Sequence, residues 1–251
     1  MPSPVVNLIL RSPQSINPAS LPGIAAWYSA DYGVLTSVGP DVAATNGQTV
    51  RRWLDKSGNG RDLDQATLLN QPTFATTYLQ SPCLRSLGTG SFQLTGLPSS
   101  TEATHYTVFS CASSNYVTDG QLFLTNGFWI ASDRSVQVNS TNSGRLVSPS
   151  TYIDTDITKT AIVAIRYSVT IGKQMSIGTG AGNIGVIQEF TTPVIVTVAA
   201  STGITLFRHG SGTVASNTNI VEHIRYWGQT HDDATMRKMI KYLARKWGIQ
   251  A

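Results

Sequence analysis

Apolar residues in this chain come in short runs, and clusters of Gly, Ser, Asn, Asp and Pro cut each run off before it can fill three turns of helix. That punctuation predicts a series of short strands. Candidates are Ile24–Tyr28, Thr49–Leu54, Ser91–Leu94, Tyr106–Ala112, Gln121–Leu124, Phe128–Ala131, Ser135–Val138, Ala161–Tyr167, Lys173–Ile177, Val186–Phe190, Val194–Val198, Ile204–Phe207 and Ile220–Trp227. So many short strands in 251 residues argue for two antiparallel sheets packed face to face. The run at Ala161–Ile165 is apolar on both faces and suits a central strand.

Only the C-terminal stretch repeats at the helical period. Met236, Met239, Ile240, Leu243 and Trp247 form one apolar stripe, Asp232 is the predicted N-cap, and Gly248 stands where a left-handed C-terminal cap is expected. The expected fold is therefore all-β: a two-sheet antiparallel β-sandwich of jelly-roll type, with one C-terminal amphipathic α-helix. Residues 1–20, broken by Pro2, Pro4, Pro13 and Pro18, read as an extended N-terminal arm, and residues 21–251 as a single domain. Within the arm, Val5, Val6, Leu8, Ile9 and Leu10 form a strand-like run without a hairpin partner. It either closes the domain's own sheet or adds to a neighbour's, which makes it the candidate assembly segment and allows a homo-oligomer.

Charge is sparse. Charged residues make up 13% of the chain and the formal net charge is +4, so a general nucleic-acid-binding surface is not expected. Much of the base lies in the helix at Arg237, Lys238, Lys241, Arg245 and Lys246, and the first reading of that run is a solvated face. Cys83 and Cys111 are too few for a disulfide framework; the first expectation is two independent thiols, with a single bridge as the alternative. The first residues lack the basic and long apolar regions of a signal peptide, and no apolar run is long enough to insert in a membrane. Synthesis in a cytoplasm without secretion is the expectation.

Leu21-Pro22-Gly23-Ile24-Ala25-Ala26-Trp27-Tyr28-Ser29-Ala30-Asp31 opens the domain, and Trp53-Leu54-Asp55-Lys56-Ser57-Gly58-Asn59-Gly60 follows. The chain closes with Ile220–Tyr226 and with Tyr242-Leu243-Ala244-Arg245-Lys246-Trp247-Gly248. These phrases, in this order, resemble the concanavalin A-like lectin/glucanase superfamily, in its laminin-G-like jelly-roll branch found in phage and bacterial proteins. The resemblance implies a jelly roll with the ends brought together. It also implies that Glu222 is a buried anchor that accepts hydrogen bonds from loop backbone. It leaves function open, since the branch includes sugar binders, adhesion modules and virion components.

The residues bear on several chemistries. Asp55, Ser57 and Asn59 supply oxygens at alternate positions before a glycine, as in the first half of a calcium loop, although Asn59-Gly60 is equally a turn dipeptide. Calcium is the one cofactor left open. Gly180–Gly185 fits a dinucleotide fingerprint in its letters, but a strand-like run follows where a helix is needed. Hydrolysis of glycosides needs two facing carboxyl groups, and no predicted strand carries acids at alternate positions; Asp154 and Asp156 have that spacing in a predicted loop. His105, His209, His223 and His231 have no evident nucleophile beside them. For sugar contact the loops offer Asn115, Tyr116, Trp129, Asp133, Arg134 and Tyr152, aromatic platforms mixed with planar polar groups.

The leading expectation is a non-enzymatic structural protein of a phage virion, either head decoration or a tail or fibre component. It would meet other virion proteins through the arm and touch host-surface polysaccharide. The alternative is a carbohydrate-binding or adhesion module. A glycoside hydrolase comes third.

Overall fold

The computed structural model describes residues 16–36, 42–76, 81–87, 90–97, 100–111, 122–124, 128–130, 136–138, 146–147, 160–168, 172–179, 203–207 and 217–249. Across these it has sixteen strands and one α-helix. The strands are β1 (Ile24–Ser29), β2 (Val34–Thr36), β3 (Val50–Trp53), β4 (Leu63–Asp64), β5 (Thr73–Ala75), β6 (Cys83–Leu87), β7 (Phe92–Leu94) and β8 (Ala103–Cys111). They continue with β9 (Leu122–Leu124), β10 (Phe128–Ile130), β11 (Val136–Val138), β12 (Leu146–Val147), β13 (Ala161–Ser168), β14 (Gly172–Thr179), β15 (Ile204–Leu206) and β16 (Asn217–Trp227). Helix α1 spans Asp233–Lys246.

Two antiparallel sheets result, so the expected all-β sandwich with a C-terminal helix is the fold. One sheet runs β14-β13-β8-β16-β6-β5, with β1 paired to the far half of β16; the other runs β12-β11-β10-β9-β15-β7-β4-β3-β2. Sequence reading misses β2, β4, β5, β6 and β12 because they are short or mixed in polarity; tertiary pairing, not propensity, makes them strands. The expected strands Val186–Phe190 and Val194–Val198 lie outside the described residues.

Side-chain alternation divides the first sheet between two cores. Its inner face meets the second sheet through Tyr28, Phe109, Val163 and Ile220 against Val50, Trp53, Leu63, Phe92 and Leu206. Its outer face meets α1 through Trp27, Tyr106, Val108, Ile162, Ile224 and Tyr226 against Met236, Met239, Ile240 and Leu243. β13, buried along its whole length, is the strand whose run is apolar on both faces. Asp232 caps α1, accepting a hydrogen bond from the Thr235 amide at 2.7 Å, and Gly248 follows with φ +63°.

One irregularity positions the site. The pairing of β16 with β8 shifts register between Ile220 and Glu222. A bulge there adds a residue and reverses the facing of everything beyond it. Ile220 joins the inter-sheet core, whereas Val221, Ile224 and Tyr226 join the helix side. Strict alternation would have put Ile220 and Glu222 on one face. The end of the arm is also placed: Pro18–Ser20 form a 3₁₀ turn, and the Tyr226 hydroxyl donates to the Pro18 carbonyl at 2.9 Å. Val5, Val6, Leu8, Ile9 and Leu10 lie outside the described residues.

Candidate functional site

The two terminal phrases converge on Glu222. Its carboxylate is fully buried and accepts from Trp27 Nε1 at 2.6 Å, from Lys246 Nζ at 2.8 Å and from Trp247 Nε1. β1, near the start of the chain, is thereby tied to β16 and the end of α1, near its close, at one carboxylate. The partners are side chains, where loop backbone had been expected. Burial is the largest influence on Glu222 and holds its pKa above the ordinary value; Lys246 and the two indole donors pull it back only in part. Lys246 also donates to Ser29 Oγ at 2.7 Å and reaches Asp31 at 3.3 Å. Burial pushes the Asp31 carboxyl up, but the Ser29 hydroxyl, Lys246 and Lys56 outweigh it and leave the pKa below its usual value. Lys56 lies 4.7 Å over the Trp27 ring and 5.5 Å from the Tyr32 ring, extending the cluster to the surface.

The loop after β3 joins this cluster through Asp55. Its Oδ1 accepts from the amides of Trp27 and Ser57, both at 2.9 Å; Oδ2 accepts from Ser57 Oγ at 2.7 Å and the Arg61 amide at 3.1 Å. Asn59 Nδ2 donates to the carbonyls of Ile24 and Ala25 and to Ser57 Oγ. Asp55, Ser57 and Asn59 therefore lace the turn to β1, and those Asp55 lone pairs are the ones a calcium ion would have to capture. Among the described residues no group of three or more His, Cys, Asp or Glu gathers as a metal site.

On the opposite face of the same strands lies a second polar constellation, which sequence reasoning missed. His223 and Arg225 on β16, His105 and Thr107 on β8, Tyr167 on β13 and Tyr28 on β1 share the inner face of the first sheet. His105 and His223 have ring centroids 6.1 Å apart, His105 and Tyr167 5.7 Å, and Tyr28 stacks on His223. Thr107 Oγ1 bonds to His223 Nδ1 at 2.9 Å. Arg225 donates to the Gly203 carbonyl at 2.9 Å and stacks 4.0 Å from the Trp227 ring. The Nε2 atoms of His105 and His223 have no hydrogen-bonding partner among the described residues.

Burial drives the His223 pKa down to about 3, with Arg225 adding to the effect, and it lowers His105 as well. Arg225 is itself pushed down to about 10 by burial, against the pull of Tyr167. The set can hold two neutral imidazoles beside a guanidinium. With Arg225 at 0% and His223 at 1% exposure, a polymeric ligand does not reach it as it stands. The available signal was the alternation of polar residues, His223 with Arg225 and His105 with Thr107, along strands otherwise apolar.

Of the expected sugar contacts, Asn115, Tyr116, Asp133, Arg134 and Tyr152 lie outside the described residues, as do Asp154, Asp156 and the Gly180–Gly185 segment. Trp129 falls in β10, opposite Phe123 and Gln137, where the backbone alone is described. Cys83 is a free, buried thiol whose pKa burial raises to about 12. No helix among the described residues is long and apolar enough to cross a membrane.

The sequence matches no protein-family model and no curated protein. Solved structures do share the fold. A sialidase of Trypanosoma rangeli aligns over 97% of this chain at TM-score 0.56 and 11% identity, the match covering 36% of the sialidase. An arabinofuranosidase solved with arabinofuranosyl-xylobiose aligns over 80% at TM-score 0.52 and 12% identity, covering 52% of that chain. A GH54 α-L-arabinofuranosidase aligns over 88% at TM-score 0.54 and 10% identity, covering 59% of its chain. The chain thus spans about a third to three fifths of these proteins. At such identities the likeness is one of fold, a two-sheet sandwich.

These neighbours correct two expectations. The leading reading, a structural protein of a phage virion, finds no support among them; they are carbohydrate-processing proteins, and the carbohydrate-binding alternative fits them better. The expectation of a protein without enzymatic activity is likewise overturned, because sialidases and arabinofuranosidases carry this architecture. The physical reason is that acids at alternate positions test only one strand. A sandwich can gather polar groups from several strands, as the convergence of β1, β8, β13 and β16 on one buried polar cluster illustrates.

Proposed function

We propose that this chain is a carbohydrate-recognising β-sandwich of the concanavalin A-like superfamily, in its laminin-G-like branch. The observation that carries the proposal is the alignment of nearly the whole chain with part of a sialidase and of most of it with arabinofuranosidases. The placement of the family phrases supports it further. Trp27, Asp55, Glu222, Lys246 and Trp247, all from the phrases that carry the resemblance, meet in one buried hydrogen-bonded cluster. The motif residues on this reading hold the scaffold, and ligand contact falls to the loops between strands. The sugar face is then built from Asn115, Tyr116, Trp129, Asp133, Arg134 and Tyr152, on a single domain of residues 21–251 preceded by the 1–20 arm.

A polysaccharide array and a reducing-end assay, run together on the full chain, test this. Saturable binding to at least one glycan is expected, weakened about tenfold or more by Trp129→Ala or Tyr116→Ala, since an aromatic platform contributes on the order of 1–2 kcal/mol. Release of reducing ends would make the protein a hydrolase within the same reading. An array without any saturable signal and an assay without product would overturn it.

A further inference from the structure

We propose that the solvent face of α1 is a docking surface for an anionic polysaccharide, one bearing carboxylate or sulfate groups along its length. The proposal rests on the carbohydrate reading above and names the class of glycan. Arg237, Lys238, Lys241 and Arg245 are all exposed, while Met236, Met239, Ile240, Leu243 and Ala244 on the other side are buried against the sheet. At 100° per residue the four cations fall within an arc of about 100°, and from Arg237 to Arg245 they span about 12 Å of helix. The helix holds five bases and one acid, a surplus equal to the formal +4 of the whole chain.

The fold already engages the remainder. Lys246 is bound to Glu222 and Asp31, and Asp233 pairs with Arg166. Among the described residues no ion pair engages Arg237, Lys238, Lys241 or Arg245; the N-cap Asp232 feels the charge of Lys238 but gives its carboxylate to the Thr235 amide. Arg237, Lys241 and Arg245 are spaced i, i+4, i+8, an arrangement of like charges that weakens a helix. The helix dipole favours Arg245, near the C-terminus, and does nothing for Arg237 or Lys238. A face that served only solubility would gain from interleaved acids. This one has none, and a polyanion supplies what it lacks.

The face also discriminates among polyanions. Single-stranded nucleic acid calls for aromatic platforms beside the cations, and Tyr242, the nearest aromatic on the helix, is half-buried against the sheet side. An anionic membrane calls for apolar side chains to insert, and every large apolar residue of α1 is already packed. What remains is a polymer read by charge along its length.

The test uses the full chain with polygalacturonate, a panel of neutral polysaccharides, single-stranded DNA and phosphatidylserine vesicles as probes. Polygalacturonate is expected to bind at low ionic strength and to lose affinity at about 0.15 M salt, where screening acts over about 8 Å. The triple variant Arg237→Gln, Lys241→Gln, Arg245→Gln should bind about tenfold more weakly, with a flatter salt dependence and a melting temperature equal to the parent's or slightly above it, because the replaced side chains are exposed and their mutual repulsion is relieved. Lys241→Arg, which keeps the charge, should bind as the parent does. Equal affinity of the triple variant, or tighter parental binding to DNA or to vesicles, overturns the proposal. Binding to neutral polysaccharides with none to polygalacturonate overturns it alone; binding to no polysaccharide at all overturns it together with the carbohydrate reading.

Discussion

A single carboxylate shows what residue identity contributes. Glu222 is fully buried, and its three donors come from both ends of the chain. Removing one member of a buried pair leaves the other charge without compensation, typically at 3–5 kcal/mol. Glu222→Ala is therefore expected to cost about 3–5 kcal/mol in urea unfolding, by leaving two indole N–H groups without their acceptor and Lys246 with only Ser29 and Asp31. The pH dependence carries a definite sign. A carboxyl whose folded pKa is raised favours the folded state when protonated, and that stability is lost as pH rises through the folded value. The advantage of the parent over Glu222→Gln should shrink from mildly acidic to neutral pH. An advantage that grows over that interval would show that Lys246 and the indoles outweigh burial.

Among the elements, β1 and β16 depend on a backbone detail that explains the Leu-Pro-Gly phrase. Gly23 sits at φ +76°, its carbonyl accepts from the Trp227 amide at 2.7 Å, and a Cβ placed there would lie 2.9 Å from the Trp227 carbonyl oxygen and against the Gln229 side chain. Only glycine meets both demands. Gly23→Ala should destabilise the protein by about 1–3 kcal/mol, combining a left-handed backbone with a steric clash. A melting temperature equal to the parent's would show that the β1 entry relaxes freely. The bulge in β16 is the complementary lesson. Alternation reads Ile220, Glu222, Ile224 and Tyr226 as one face, and the extra residue splits that set between two cores.

For the whole molecule, the acid limit is set by histidines held neutral inside the sandwich and under the helix. His105 and His223 lie on the inner face; His231, beneath α1, is lowered to about 4 by burial and bonds to the Tyr106 hydroxyl. Each depressed imidazole contributes stability that is present above about pH 6.5 and lost as pH falls toward the folded value. Three together should make stability fall by about 4 kcal/mol per pH unit between roughly pH 6 and 5, easing toward pH 4 as His231 takes up its proton, which is large against the total stability of a typical domain. Glu222 acts in the opposite sense as it takes up its proton. Urea midpoints measured from pH 7 to 4.5 should show this slope, reduced by about a third in His223→Gln. A flat profile above pH 5 would contradict the burial of all three.

The secondary-structure class and the caps of α1 were legible in the sequence because they follow from local period and backbone chemistry, which neighbouring residues express without help from the rest of the chain; the phrases that meet at the scaffold were legible only through a family resemblance. The sequence by itself did not determine that Glu222 would be held by Trp27, Lys246 and Trp247, nor that His105, His223, Arg225 and Tyr167 would share one face. Those outcomes rest on strand order and on the β16 bulge. Which strands become neighbours, and which way a side chain faces beyond a bulge, is settled by burying both faces of the first sheet at once, and that requirement has no counterpart in any local stretch of residues.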